Sequence, residues 1–169
     1  MSTALPPKPR TVASRRRVCV VASQYNEQFT DALLDNAVDE LSELFPQSSI
    51  EIARVSGAFE IPVVVKTLAQ TNAPDCIIAL GVIIRGDTQH ADLVASSVTD
   101  ALQQIAVTEG VPVIHEVLLV DDEKQAFSRC IGESKNRGRE AAQAALSVVE
   151  VMKELKRPLS RKAARHANS

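Results

Sequence analysis

The sequence predicts an α/β fold, a three-layer sandwich in which a four-stranded parallel sheet carries helices on both faces. Three observations predict it. Strand-like and helix-like segments alternate four times, with one further helix at the end. The helical segments carry their apolar residues on one face. The stretch from Asp75 to Ile84 is the most continuously apolar in the chain, as a strand buried on both faces must be.

The elements follow in order. Val18 to Ser23 is a short apolar strand. FTDALLDNAVDELSELF then puts Phe29, Leu33, Ala37, Leu41 and Leu44 on one helical face. SIEIARV, from Ser49, alternates Ile50 and Ile52 with polar neighbours and reads as a second strand. Pro62 marks a helix start, because a proline in the first turn removes no hydrogen bond the helix needs, and VVVKTLAQT continues it. After the apolar third strand, His90 to Glu109 is helical, with Leu93, Val94, Val98, Ala101, Leu102 and Ile105 expected inward and Gly110 as its stop. VPVIHEVLLV is the fourth strand. Asp122 to Ile131 is a short helix, and an Ala-rich helix runs from about Asn136 to Lys156.

With 169 residues, 45% apolar and 24% charged, the chain has the composition of one ordinary globular domain. It has no uncharged apolar run long enough to span a bilayer. The arginines at 15–17 are followed by only VCVVAS, which reads as a strand and not as a signal core, so a cytoplasmic location is expected. Cys19, Cys76 and Cys130 are odd in number and far apart, and read as buried thiols; Arg129 gives Cys130 some claim to thiolate character. The charge is unevenly placed. Residues 1–17 and 156–169 each hold five bases and no acid, leaving nine bases against twenty-one acids between them. The chain therefore divides into a disordered basic tail (1–17), a folded domain (18–156) and a second disordered basic tail (157–169). The tails serve solubility and weak docking on the acidic body, or else bind an anionic partner. With no aromatics interleaved, nucleic acid is not the expected partner.

Ligands of such sheets sit at the carboxyl ends of the strands. The residues delivered there are Gln24-Tyr25-Asn26, Ser56 to Glu60, Arg85 to His90, and those after His115. In RGDTQH a glycine lets backbone approach a ligand, the following N–H groups open a helix and favour an anion, and Thr88 adds a hydroxyl. Phosphate suits this loop, provided Asp87 turns away to cap the helix. His90, at the positive helix end, has its charged form disfavoured and is available as a neutral base, or else is hydrogen-bonded within its own loop. Glu60 either faces the helix dipole or accepts N–H bonds from a heterocycle. Tyr25, the single tyrosine, either packs half-buried or stacks on a flat ligand. No dinucleotide or triphosphate fingerprint is present.

VASQYNEQFTDALL, VSGAFEIP, LGVIIRGDTQH, EGVPVI and RCIGESKNRGREAAQAAL together resemble the lumazine synthase family, over about Val18 to Lys156. That resemblance implies a flavodoxin-like fold and a reaction. An amine of 5-amino-6-ribitylaminouracil condenses with the ketone of 3,4-dihydroxy-2-butanone 4-phosphate, phosphate leaves, and ring closure gives 6,7-dimethyl-8-ribityllumazine, with no cofactor or metal. By position, His90 is the proton-transfer residue. Gly86, Asp87 and Thr88 form the phosphate loop, and Arg129 reaches the phosphate across a subunit boundary. Tyr25 stacks on the ring, followed by Asn26. Ala58, Phe59 and Glu60 hold the ribityl chain and the neighbourhood of the uracil, and Val82, Ile83 and Ile84 meet the pyrimidine through backbone groups. The family forms homopentamers, and some members pack these into icosahedral shells; the uninterrupted CIGESKNRG connection is that of the shell formers.

This chain departs from the family in four places. Ser56 replaces a usual proline, and His115-Glu116 a usual Phe-Gly, where the aromatic comes from the neighbouring subunit. LLVDDEKQA replaces a Thr-rich turn, and Glu133 a common lysine. His115 retains the ability to stack or to hydrogen-bond. The substitutions at 115 and 133 motivate an alternative, a non-catalytic lumazine- or flavin-binding or shell-forming paralogue on the same fold.

Overall fold

The computed structural model describes residues 7–71 and 73–157. The chain forms β1 (Arg17–Ser23), α1 (Glu27–Leu44), β2 (Ser49–Val55), a single 3-10 turn (Ala58–Glu60), α2 (Ile61–Thr71), β3 (Cys76–Ile84), α3 (His90–Glu109), β4 (Val113–Val120), α4 (Glu123–Cys130) and α5 (Arg137–Leu155). All pairings are parallel and the strand order is β2-β1-β3-β4. This is the expected flavodoxin-like three-layer arrangement.

Strand alternation divides the core into two layers. Val18, Val20 and Ala22 of β1, with Cys76, Ile78, Leu80 and Val82 of β3, face α1, α4 and α5. Cys19 and Val21, with Ile77 and Ala79, face α2 and α3. Because β1 and β3 are central and covered on both sides, they can carry apolar residues at every position. The edge strand β2 is less enclosed, which leaves Ile52 47% exposed despite its place in the alternation.

The helix starts follow from local chemistry. Asp122 accepts the Gln125 N–H at 2.8 Å and caps α4, and Asn136 accepts the Arg139 N–H at 3.2 Å and caps α5. Asn136 is buried, and its amide also donates to the Cys130 carbonyl at 3.1 Å, so one side chain joins the end of α4 to the start of α5. Gly110 ends α3 in the left-handed region, at φ 66°. Along α3, Val98, Leu102 and Ile105 are buried as expected, but Leu93 is 67% exposed. At 100° per residue it lies about 140° around the helix from Val98, outside the stripe that meets the sheet.

The described part of the N-terminal segment lies along this body. Lys8 pairs with Glu40 at 2.8 Å, the Val12 N–H donates to Leu44 O at 3.0 Å, and Arg16 pairs with Glu150 at 3.1 Å. Of the second tail expected at 157–169, residues 158–169 lie outside the described residues. Among the described residues no helix is long and apolar enough to cross a membrane. All three cysteines are buried and free. Burial pushes the Cys130 thiol up to about 12 and outweighs the neighbouring Arg129, so the thiolate character the sequence suggested is absent.

Helices α1 and α5 pack tightly at Gly138, where an added Cβ would strike the Leu33 carbonyl oxygen and lie 3.1 Å from Ala37 N. Gly138→Ala therefore forces two backbones apart. The cost of such overpacking is about 1–3 kcal/mol, offset by up to about 1 kcal/mol of helix propensity. The expected result is a lower urea midpoint with an unchanged slope; an unchanged midpoint would show that the helices separate freely.

Candidate active site

From β1 the chain winds one way to β2 and the other way to β3, so the loops leaving β1 and β3 diverge and open a crevice at the carboxyl edge. A cleft of about 580 Å³ occupies that position. Its walls come from three strand ends: Tyr25 and Asn26 after β1, Gly57 to Glu60 after β2, and Val82 to Ile84 with Gly86, Thr88 and His90 around β3 and the start of α3.

The β1 wall is set by Asn26. It sits in the left-handed region at φ 58°, a conformation asparagine tolerates better than most residues. Its Nδ2 donates to the Val82 carbonyl at 2.7 Å, which ties the β1 turn to the end of β3. The Tyr25 N–H donates to Ser56 O at 3.1 Å, joining the same turn to the β2 loop. The Tyr25 ring is 70% exposed, so a broad aromatic face is open to a ligand. Gly57 makes this possible. A Cβ there would lie 3.0 Å from the Tyr25 ring and 2.9 Å from a Glu60 carboxylate oxygen. That carboxylate folds back to accept the Gly57 N–H at 2.9 Å, which fixes the Ala58–Glu60 turn.

The β3 wall carries the hydrogen-bonding groups. His90 is the first residue of α3 and lines the cleft. Its backbone N–H faces Thr88 Oγ1 at 3.4 Å, and among the described residues none bonds its ring, so the imidazole is available to a ligand. Gln89 occupies the N-cap position without a side-chain cap bond, so Asp87 does not cap α3; nor does Asp87 line the cleft. Gly57, Ala91 and Val94 also line the cleft. The sequence placed Gly57 in the Ser56–Glu60 loop at the ligand edge and Val94 on the inner face of α3, without a ligand role for either. Ala91, beside His90, was the one not named.

Two expected residues lie elsewhere. Arg129 is in the last turn of α4. His115 is on β4, its Nε2 2.9 Å from Thr99 Oγ1 of α3, and loss of solvent on that side lowers its pKa. Neither lines this chain's own cleft, and among the described residues no lysine or arginine does. Arg85 is close in sequence but ion-paired to Asp92 at 2.9 Å and to Asp121. Among the described residues no His, Cys, Asp and Glu cluster could hold a metal ion.

Glu116, beside His115, faces α5, where the Arg137 guanidinium stands 3.9 Å away and itself pairs with Glu140 at 2.5 Å. Burial pushes the Glu116 carboxyl up to about 7, more than Arg137 can offset. Between the ordinary carboxyl range and pH 7 the folded chain therefore keeps a proton that the unfolded chain has lost. Stability should fall as pH rises through that window, by on the order of 2–3 kcal/mol. Glu116→Gln should flatten this slope in denaturant titrations at pH 5 and 8; an unaltered slope would assign it to other groups.

The comparisons with known proteins agree with this geometry. A family model described as 6,7-dimethyl-8-ribityllumazine synthase matches residues 15–153. Similar proteins of that name include one from Thermococcus kodakarensis, 39% identical over 140 residues that span 83% of this chain and 88% of the relative. One from Thermococcus onnurineus is 41% identical over 138 residues, 82% and 90% of the two chains. One from Halorhodospira halophila is 39% identical over 140 residues, again 82% and 90%. With a family match over most of its length and relatives near 40% identity around a cleft of this composition, the chain belongs to the 6,7-dimethyl-8-ribityllumazine synthase family.

Proposed function

We propose that this protein is a transferase that condenses 5-amino-6-ribitylaminouracil with 3,4-dihydroxy-2-butanone 4-phosphate to give 6,7-dimethyl-8-ribityllumazine, in riboflavin biosynthesis. The observation that carries the reading is one cleft, on a chain of this family, that gathers an open aromatic ring, a carboxylate, a hydroxyl beside a helix start and an unbonded imidazole.

The roles follow from the chemistry. The pyrimidine lies on Tyr25 and against the Val82–Ile84 strand end, with Asn26 holding that end in place. Ala58, Phe59 and Glu60 bound the ribityl side, and Gly86, Asp87 and Thr88 form the loop that receives the phosphate. The ring amine attacks the ketone, and loss of one water leaves an imine. His90 then removes a proton from the adjacent carbon so that the C–O bond to phosphate breaks, and the phosphate carries away the electron pair. The enol left behind takes a proton at its terminal carbon and becomes a ketone, which the ribityl-bearing nitrogen attacks, and loss of a second water closes the new ring. Holding two reactants side by side supplies much of the acceleration, because the condensation is largely a problem of orientation.

A cleft wall with Glu60 and, among the described residues, no cation is a poor host for a phosphate dianion. This supports a homopentamer in which Arg129 and His115 of one copy complete the cleft of the next, with assembly of pentamers into an icosahedral shell as its extension. In this reading the basic segments at 1–17 and 157–169 flank the catalytic domain, the first meeting it through Lys8, Val12 and Arg16 and ending in β1 at Arg17. The three buried thiols support a cytoplasmic enzyme.

Mixing the two substrates with the protein should release phosphate and fluorescent lumazine together. His90→Ala should lower kcat by roughly 10²-fold or more without unfolding the chain. No product above the uncatalysed background would end this reading. Subunit sharing has its own test: His90→Ala and Arg129→Ala chains are unfolded together and reassembled. If each cleft joins two copies, about a quarter of the clefts in the mixture are intact and activity returns. Activity no greater than that of the separate variants would place both residues in one copy's cleft.

A further inference from the structure

The loop Gly86–Gln89 has little to hold it. An added Cβ at Gly86 would meet nothing within 4 Å, the N-cap of α3 has no side-chain bond, and the Thr88 contact to the His90 N–H is long, at 3.4 Å. Yet this loop must keep its backbone N–H groups aimed at one spot and deliver His90 to the same place. Its two flanks, however, are fixed by one side chain.

Arg85 is the first residue beyond β3. Its N–H donates to Val120 O at 2.9 Å, so its backbone continues the ladder to β4. Its guanidinium then divides. Nη2 and Nε donate to Asp92 Oδ1, at 2.9 and 3.2 Å, in the first turn of α3. Nη1 donates to Asp121, immediately past β4. Asp121 is itself held from α4, where Gln125 Nε2 donates to its Oδ2 at 2.8 Å and Gln125 Oε1 accepts its N–H at 3.1 Å. Both carboxyls are held below their ordinary range, Asp92 mainly by Arg85, and Asp121 by Gln125 and Arg85. A planar fork of five donors suits such bridging, whereas an ammonium would lose one carboxylate. The three side chains are roughly half exposed, so the network adds little to global stability. What it constrains is local: the distance between the end of β3 and the start of α3.

We propose that Arg85 is a positioning residue that, by bridging Asp92 and Asp121, sets the Gly86–Gln89 loop and the His90 helix start, and so governs recognition of the phosphate-bearing ketone. Arg85 acts through the loop and does not itself bind the phosphate, because both its directions of approach are already paired with acids. The proposal rests on the reaction assigned above, and adds to it a residue whose loss should affect one substrate and spare the other.

The test compares Arg85→Gln, Arg85→Lys, Asp121→Asn and Asp92→Asn with the unaltered protein. Arg85→Gln should raise the KM for the butanone phosphate about tenfold or more and leave the KM for the pyrimidine within about twofold, since the pyrimidine wall is built from Tyr25, Asn26 and β3. Arg85→Lys should recover part of the loss, and adding Asp121→Asn to Arg85→Gln should change nothing further. Amide hydrogen exchange reads the loop without turnover: residues 86–90 should exchange about tenfold faster in Arg85→Gln, with α5 unaltered. Equal increases in both KM values, or unchanged exchange at 86–90, would overturn the proposal. If the unaltered protein fails to make product, the assigned reaction falls, and the exchange measurement still decides whether Arg85 holds the loop.

Discussion

A parallel sheet wound outward in both directions from β1 must leave a gap where the connections part, and the candidate cleft is fitted to that gap. The constraint is geometric before it is chemical. β1 and β3 are hydrogen-bonded neighbours, but their following helices cover opposite faces, so no backbone fills the space beyond their carboxyl ends. The two-sided burial of both strands makes that edge rigid. Loops mounted on it can be short and still be precise to fractions of an ångström.

Within the gap, the protein places its polar groups by making them serve one another. The Glu60 carboxylate closes the turn that displays it, Gly57 yields its side-chain volume to the Tyr25 ring, and the Asn26 amide is a brace between two strand ends. Asn26 is thus as much scaffold as binding group. With its Nδ2 bonded to the Val82 carbonyl, the side chain and that carbonyl hold each other in place. The side left loose by this economy is the Gly86–Gln89 loop, which stands without braces of its own.

Much of this was legible in the sequence because the physics involved is local. Periodicity reveals which helix face is buried, continuous apolarity reveals a central strand, and Gly110 or Asn136 announces a helix end. The gathering of Tyr25, Glu60, Thr88 and His90 was legible only in combination, through motif spacing and the rule that ligands meet the carboxyl edge. What escaped depended on distant geometry. Leu93 looked inward until the sheet's actual reach was known. Asp87 looked like a cap, though the helix begins without one. Arg85 showed no pattern, since its partners are 7 and 36 residues away. Cys130 looked reactive beside an arginine until its burial was seen to dominate.

Among the described residues no lysine or arginine lines the cleft wall, and this bears on where the counter-charge of a phosphate comes from. An aromatic shelf and an imidazole stand along this wall, but no positive side chain among the described residues on it draws a dianion by charge. Under the proposed sharing of clefts between copies, the charge for a phosphate arrives with the neighbour, which links recognition of a phosphorylated guest to association itself.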